Sequence, residues 1–499
     1  MRLPLRSSRS RRSVLGLVCG ALVAACSSST VAYSDLGGSP TGSYDGANAG
    51  SGGAPGAPGD VGATPGGAQD IGYARKLIES GAVPPADALT VEGLLSEHDL
   101  PTEGPACTTL LCARPATAYA HSIETGKSER WIQIGMASGL TNFKRPPMDV
   151  VVLIDRSASM SIDMTQTNEA VTRMVDKLRD DDRVAVLAFS DGVDVIHPLG
   201  APGDRAALKS KVKAIQASGG ANMERGLADS FAIAKAAGAN PARLRRVMLL
   251  SCGYPETTSQ GPSSFSGMVQ EGADAGIGFS FYGILLPFQH GLANKLSQAR
   301  GGSYAYAESL DKIEKLFDTD FDYMVTPIGY DLKFSLTLPP ELQVQRLYGL
   351  PGDPSGSPKP MFDVKTAFVS RRKGAIVVRV EEKEGQQAGP TSGSVRLQFT
   401  PERAVLDAPP SDTTVPVAGV ASSTEASFSG VGVRKTVFLV NQLEGMKKAC
   451  ALWHAGKKQE ARDAMAALEA HLGPEAAAIA DAALDPELAL VAKLAANMK

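Results

Sequence analysis

Asp155, Ser157 and Ser159 place one carboxylate and two hydroxyls directly after the apolar run Val150-Val151-Val152-Leu153-Ile154. Oxygen donors at this spacing suit a hard cation such as Mg²⁺, which takes oxygen ligands in octahedral array. The competing chemistry is local. Asp and Ser side chains also satisfy backbone groups where a strand turns into a helix. Glu224 and Asp163 lie in neighbouring segments and could add a carboxylate to either arrangement. Both readings need the same scaffold, because an open parallel sheet binds ligands at the carboxyl ends of its strands.

Other reactive patterns are weak or missing. The chain holds no H-E-x-x-H, G-x-S-x-G, P-loop or C-x-x-C sequence. Ser309-Leu310-Asp311-Lys312 fits S-x-x-K by letter alone and falls in a predicted helix without partner motifs. The six histidines are scattered with no pair at metal-ligand spacing, so a thiolate-linked zinc site on Cys252 lacks nitrogen partners. These absences point away from an enzyme.

The elements that must position Asp155 follow from hydrophobic patterning. Continuous β-branched and aliphatic runs at Val150 to Ile154, Val184 to Phe189, Val247 to Leu250 and Ile277 to Leu286 read as buried parallel strands. Helical stretches lie between them, as at Glu169 to Leu178 and Met223 to Ala236. This alternation over residues 148–324 predicts an open α/β sheet with helices on both faces.

The flanking regions differ. Residues 70–147 read as a small extension, with short helices at Tyr73 to Ser80 and around Val91, Leu94 and Leu95, and a strand at Trp131 to Ile134. Residues 325–430 alternate with period two, as in Tyr330, Leu332, Phe334, Leu336, Leu338 and in Val395, Leu397, Phe399, which predicts a small antiparallel β domain. Residues 431–499 carry amphipathic stripes, Leu439, Leu443, Met446, Cys450, Trp453 and then Ala461, Met465, Leu468, Leu472. Gly473-Pro474 is expected to end the second helix, leaving a helical hairpin with Cys450 in its core.

The N-terminus addresses the chain. Residues 1–25 hold five arginines and no acid before the short apolar run Val14 to Ala25, the make-up of an export signal rather than a bilayer span. Ser10-Arg11-Arg12-Ser13-Val14-Leu15 resembles a twin-arginine signal. Val23-Ala24-Ala25-Cys26 resembles a bacterial lipobox, which implies cleavage before Cys26, acylation of its thiol (palmitate or a similar chain) and a membrane anchor. Ser27 is compatible, by the same resemblance, with outer-membrane sorting. Removal of residues 1–25 lowers the formal net charge from −3 to −8, a poor balance for nucleic-acid binding.

Residues 26–69 then read as the lipidated cysteine and a flexible linker. Twenty of the 35 residues in 34–68 are Gly, Ser or Pro, a composition that cannot offset its ordering entropy. As a coil it would reach roughly 30–35 Å. Cys107 and Cys112 are close enough to close a small loop, and an oxidising compartment would favour a disulfide between them.

The ordered set of motifs resembles the von Willebrand factor type A (vWA) family. Asp149-Val-Val-Val-Leu-Ile-Asp155-Arg-Ser-Ala-Ser-Met160 looks like the opening of such a domain, whose D-x-S-x-S element begins a metal-ion-dependent adhesion site. Asp181-Asp182-Arg183-Val184 with Ala188-Phe189-Ser190, Gly219-Gly220-Ala221-Asn222 with Gly226-Leu227, Arg246 to Gly253, and Gly301-Gly302-Ser303-Tyr304 match later family elements in order. Gly81 to Glu92 is similar to the extension found in exported bacterial vWA lipoproteins, although Thr90 and Gly93 depart from that pattern.

Two departures concern the metal. The family's threonine ligand falls at Ala221, which has no ligating atom, and its second carboxylate falls at Cys252. Cysteine sulfur is soft and suits zinc or copper better than Mg²⁺. The resemblance therefore implies an exported, membrane-anchored protein-binding or adhesion module with a degenerate metal site. A Mg²⁺-dependent module that keeps Asp155, Ser157 and Ser159 and adds water ligands, or a structural subunit of an envelope assembly, is the competing expectation.

Overall fold

The computed structural model describes residues 61–253, 262–284, 288–352, 359–420 and 425–499. The signal segment 1–25, Cys26 and the linker as far as residue 60 lie outside the described residues. No described helix is long and apolar enough to cross a membrane.

A seven-stranded sheet carries the Asp155 region. In spatial order its strands are Gly67–Ala68, Gly302–Ala307, Gly278–Ile284, Leu244–Ser251, Met148–Asp155, Arg183–Phe189 and Val193–Gly200. Every pairing is parallel except the last. All eight residues of Met148–Asp155 are buried. Val150, Val152 and Ile154 join one core with the helix Met164–Lys177, while Val151 and Leu153 join another with the helix Met223–Ala236. This is the α/β sheet covered on both faces that the apolar runs predict.

The entry to the central strands is fixed by a buried ion pair. Arg145 and Asp182, both wholly buried, meet at 2.7 and 3.0 Å. Asp182 also accepts the backbone N–H of Met148 at 2.8 Å and of Arg179 at 2.7 Å.

The regions before and after this sheet are not separate bodies. The strands Cys112–Ser122 and Lys127–Ala137 pair with each other, and Lys127–Ala137 pairs with Ala375–Glu382, so the expected extension and β domain share one ten-stranded antiparallel sheet. Strand edges left by one segment are covered by the other. Cys107 and Cys112 are joined by a disulfide just ahead of this hairpin.

The linker expectation fails at its C-terminal end. Gly62–Pro65 pairs with the strand Met361–Ser370, and Gly67–Ala68 adds to the edge of the seven-stranded sheet. Glycine serves close approach here: a Cβ on Gly62 would lie 2.1 Å from the Arg372 carbonyl oxygen. Composition alone does not distinguish this use of glycine from a coil.

The C-terminal region holds three helices rather than a hairpin: Val431–His454, Lys458–Ile479 and Asp485–Asn497. Pro474 sits inside the second, which ends at Ala480 in a left-handed conformation. The buried residues Leu472 and Ile479 carry the apolar stripe past the proline, and packing outweighs its missing N–H. These helices share a core with Ile78, Leu94 and Leu95 of the N-terminal helices. Glu487 locks the contact by accepting from Arg75 at 2.6 Å and Gln442 at 2.7 Å. Cys450 is fully buried in that core, as its place on the stripe implies.

Candidate functional site

The strand Met148–Asp155 delivers Asp155 to the carboxyl end of the sheet, where its side chain is buried. One carboxylate oxygen accepts the Ser157 backbone N–H at 2.9 Å. The other accepts the Ser251 hydroxyl at 2.6 Å, and Ser251 Oγ in turn accepts the Gly253 N–H at 2.8 Å. Ser251 follows Leu250, which pairs with Ile154, so the parallel register sets the hydroxyl beside the carboxylate.

The serines close on each other. Ser157 Oγ and Ser159 Oγ are 2.8 Å apart, and Ser159 Oγ lies 3.5 Å from Cys252 Sγ. Asp155, Ser157, Ser159 and Cys252 thus form one contiguous polar cluster. The loop bearing Ala221 packs on it through backbone bonds: Ala158 N–H donates to Gly219 at 3.0 Å, and Ser218 N–H to Arg156 at 2.7 Å. Ala221 is buried and brings a methyl group to this loop. Asn222 caps the following helix by accepting the Arg225 N–H at 3.1 Å. The Arg156 side chain bonds Ser218 at 2.9 Å and Asp194 at 2.7 Å.

Burial pushes the Asp155 carboxyl above the usual carboxylate range, and the hydrogen bonds from Ser251 and Ser157 oppose this only in part. Ser251 was not legible as a partner, because only its register against Asp155 gives it a role. The two auxiliary carboxylates do not complete a ligand set: among the described residues no three His, Cys, Asp or Glu side chains cluster closely enough to hold a metal. Glu224 sits in the first turn of the helix Met223–Ala236. Asp163 precedes the helix Met164–Lys177 without capping it through its side chain.

Asp163 gives a pH prediction. Burial raises its carboxyl from 3.8 to about 6. A carboxyl raised by folding holds its proton more tightly folded than unfolded, so its contribution is fully present below the unfolded value and is lost as pH rises through about 6. Asp163→Asn is therefore expected to stabilise the protein at pH 7.5 by about 1–3 kcal/mol and to change little at pH 4. Urea denaturation at both values checks this; an equal effect at both would refute it.

Two further sequence features find plain roles. Ser309 caps the helix Leu310–Glu314 by accepting the Lys312 N–H, and Lys312 pairs with Asp70 at 3.1 Å. The S-x-x-K match is thus a helix start. His121 and His471, remote in sequence, meet as tilted rings with centroids 4.8 Å apart, which spacing did not foretell.

The family model for the von Willebrand factor type A domain matches residues 149–319. An uncharacterized protein of Synechocystis sp. is 27% identical over 131 residues, 26% of this chain, and the chain spans 31% of that relative's length. Among solved structures, a von Willebrand factor type A protein from Catenulispora acidiphila is 18% identical with a TM-score of 0.48, covering 76% of this chain and 88% of that one. The ArnB paralog VWA2 from Sulfolobus acidocaldarius is 13% identical with a TM-score of 0.43, covering 78% and 98%. The family model covers the serine loop and six of the seven strands of this sheet, Gly67–Ala68 lying outside it, so residues 149–319 form a vWA domain.

Proposed function

We propose that this protein is a protein-binding module of the bacterial cell envelope, anchored by lipid on Cys26, whose vWA domain engages its partner without a metal ion. The observation that carries the reading is the closed network at the strand ends. Both Asp155 oxygens already accept protein donors, and the Ser157 and Ser159 hydroxyls bond each other. The two remaining family ligand positions hold Ala221 and Cys252. A hard divalent ion prefers several oxygen donors, and these residues do not fit one. The vWA domain, with none of the catalytic patterns above, supports an interaction role rather than an enzymatic one.

The full chain titrated calorimetrically with Mg²⁺ and Mn²⁺ is expected to show no saturable binding. Saturable binding that Asp155→Ala abolishes would overturn the metal-free reading and favour metal-dependent adhesion. The anchor has its own test. Cys26→Ala is expected to end radiolabelled palmitate incorporation and to move the protein out of the membrane fraction; an unchanged distribution would remove the lipid from the proposal.

A further inference from the structure

The other end of the sheet holds an unexplained charge. Arg246, in the strand Leu244–Ser251, is almost completely buried. One of its terminal nitrogens donates to Ser280 Oγ at 2.9 Å and to the Gly301 carbonyl at 3.1 Å. Its guanidinium lies over the Phe368 ring at 5.2 Å. Its Nε is buried without a hydrogen-bond partner, and among the described residues no carboxylate forms an ion pair with it. The buried guanidiniums of Arg130, Arg145 and Arg379 behave otherwise, pairing with Glu382, Asp182 and Glu124. Burial pulls Arg246 below the ordinary arginine range. A buried cation without a counter-charge is costly, so a fold that keeps one has a use for it or an ion to meet it.

Arg246 lines a cleft of about 350 Å³ between the two sheets. Arg243, Arg245, Arg300 and Arg403 line it too, against the single carboxylate of Glu402. Several of these charges are already met. Arg243 pairs with Asp149 at 2.7 Å, Arg300 with Asp331 at 3.3 Å, and Arg403 with Asp407 at 3.1 Å. Glu402 accepts from Tyr330 Oη at 2.7 Å and from the Ala404 N–H at 3.0 Å, so it too is committed elsewhere. Arg245 donates to the Ala275 carbonyl and forms no ion pair among the described residues. Successive strand residues send their side chains to opposite faces of the sheet, so of these two arginines it is Arg246 whose guanidinium meets the cleft without a carboxylate partner among the described residues.

The opposite wall is shaped deliberately. The register of Pro327–Thr337 against Gly393–Pro401 slips between Tyr330 and Lys333, and Asp331 at the slip takes φ +53°. Such bulges re-aim side chains, and left-handed residues other than glycine persist where the surroundings demand them. Here Tyr330 is turned against Arg300, whose guanidinium lies 3.7 Å from its ring centroid.

The geometry points to an oxyanion-binding site in this cleft, with Arg246 at its base and a phosphate group as the ligand chemistry. Guanidinium groups pair with phosphate through two parallel N–H donors, and low local dielectric strengthens the contact. The cleft has room for a phosphate alone or for a phosphoryl group on a small molecule.

Calorimetry of the full chain at constant ionic strength, with inorganic phosphate and with glycerol 3-phosphate, tests the site. Saturable binding is expected, weakened at least tenfold by Arg246→Met, with Arg225→Gln, which lies outside the cleft, near wild type. Tighter binding of glycerol 3-phosphate than of phosphate would assign the group to a larger molecule, and the reverse to the free ion. Arg246→Met keeps an apolar stem over Phe368, so in anion-free buffer its melting temperature should equal or exceed the wild-type value. Phosphate should raise the melting temperature of the wild type and not of this variant. No saturable binding by the wild type, equal binding by Arg246→Met, or a marked loss of anion-free stability in that variant would each overturn the site and leave Arg246 a structural residue.

Discussion

Ala221→Thr combined with Cys252→Asp is expected to give this chain saturable Mg²⁺ binding at least a hundredfold tighter than any binding by the wild type. The scaffold for such a gain is in place. Cys252 Sγ already reaches to 3.5 Å from Ser159 Oγ, so a carboxylate grafted there stands at the same cluster. The loop holding residue 221 is bonded to the serine loop through Ala158 and Gly219. The double change restores a hydroxyl and a second negative charge, and attraction between a divalent ion and a carboxylate in a partly buried site is strong. A hundredfold gain corresponds to about 2.7 kcal/mol, a modest demand on two new ligands. Calorimetry with each single variant beside the double one separates the contributions. A double variant that binds no better than wild type would show that the closed Asp155–Ser251 and Ser157–Ser159 contacts, rather than the two substitutions, exclude the ion.

Asp182→Ala carries the largest expected loss of stability, about 3–5 kcal/mol. The change strands the wholly buried Arg145 guanidinium and frees the backbone N–H groups of Met148 and Arg179. Breaking one partner of a buried pair costs far more than the pair's net worth, because the surviving charge stays out of water. Asp322, half exposed, still contacts Arg145 at 2.8 Å and softens the loss without replacing the bidentate contact. Asp182→Asn keeps an acceptor for Met148 and is expected to cost less. Urea unfolding of both variants measures the difference, and a loss below about 1 kcal/mol for Asp182→Ala would contradict the argument. Because Met148 opens the strand that ends in Asp155, the same variant should loosen the serine loop, which amide hydrogen exchange at Ser157 to Met160 would report.

Much of the architecture is local in origin and so was visible in the sequence. The run Val150 to Ile154 is apolar at every position because the strand is buried on both faces, and nothing distant is needed to see that. The helix Met223–Ala236 announces itself through its pattern, and the structure adds Asn222 as its cap. The alternation of Leu332, Phe334 and Leu336 marks a strand with one face in the core. Asp155, Ser157 and Ser159 follow a buried strand directly, which puts them at its carboxyl end, whereas Ala221 and Cys252 were matched to that end only through the resemblance to the vWA family.

Pairing was decided elsewhere. Periodicity states that Lys127–Ala137 and Ala375–Glu382 are strands, but not that they are neighbours across more than two hundred residues of intervening chain, which is a matter of which edges remain uncovered. The glycine-rich stretch at Gly62–Pro65 becomes a strand only because another strand comes near enough to exclude side chains. Ser251 becomes the donor to Asp155 only through the register of parallel strands, and Arg246 becomes an unpaired buried cation only when the second sheet closes over it. Sequence determines what each segment can bury, since that depends on its own side chains; the tertiary structure determines what it is buried against, and the charge balance of a site belongs to that second decision.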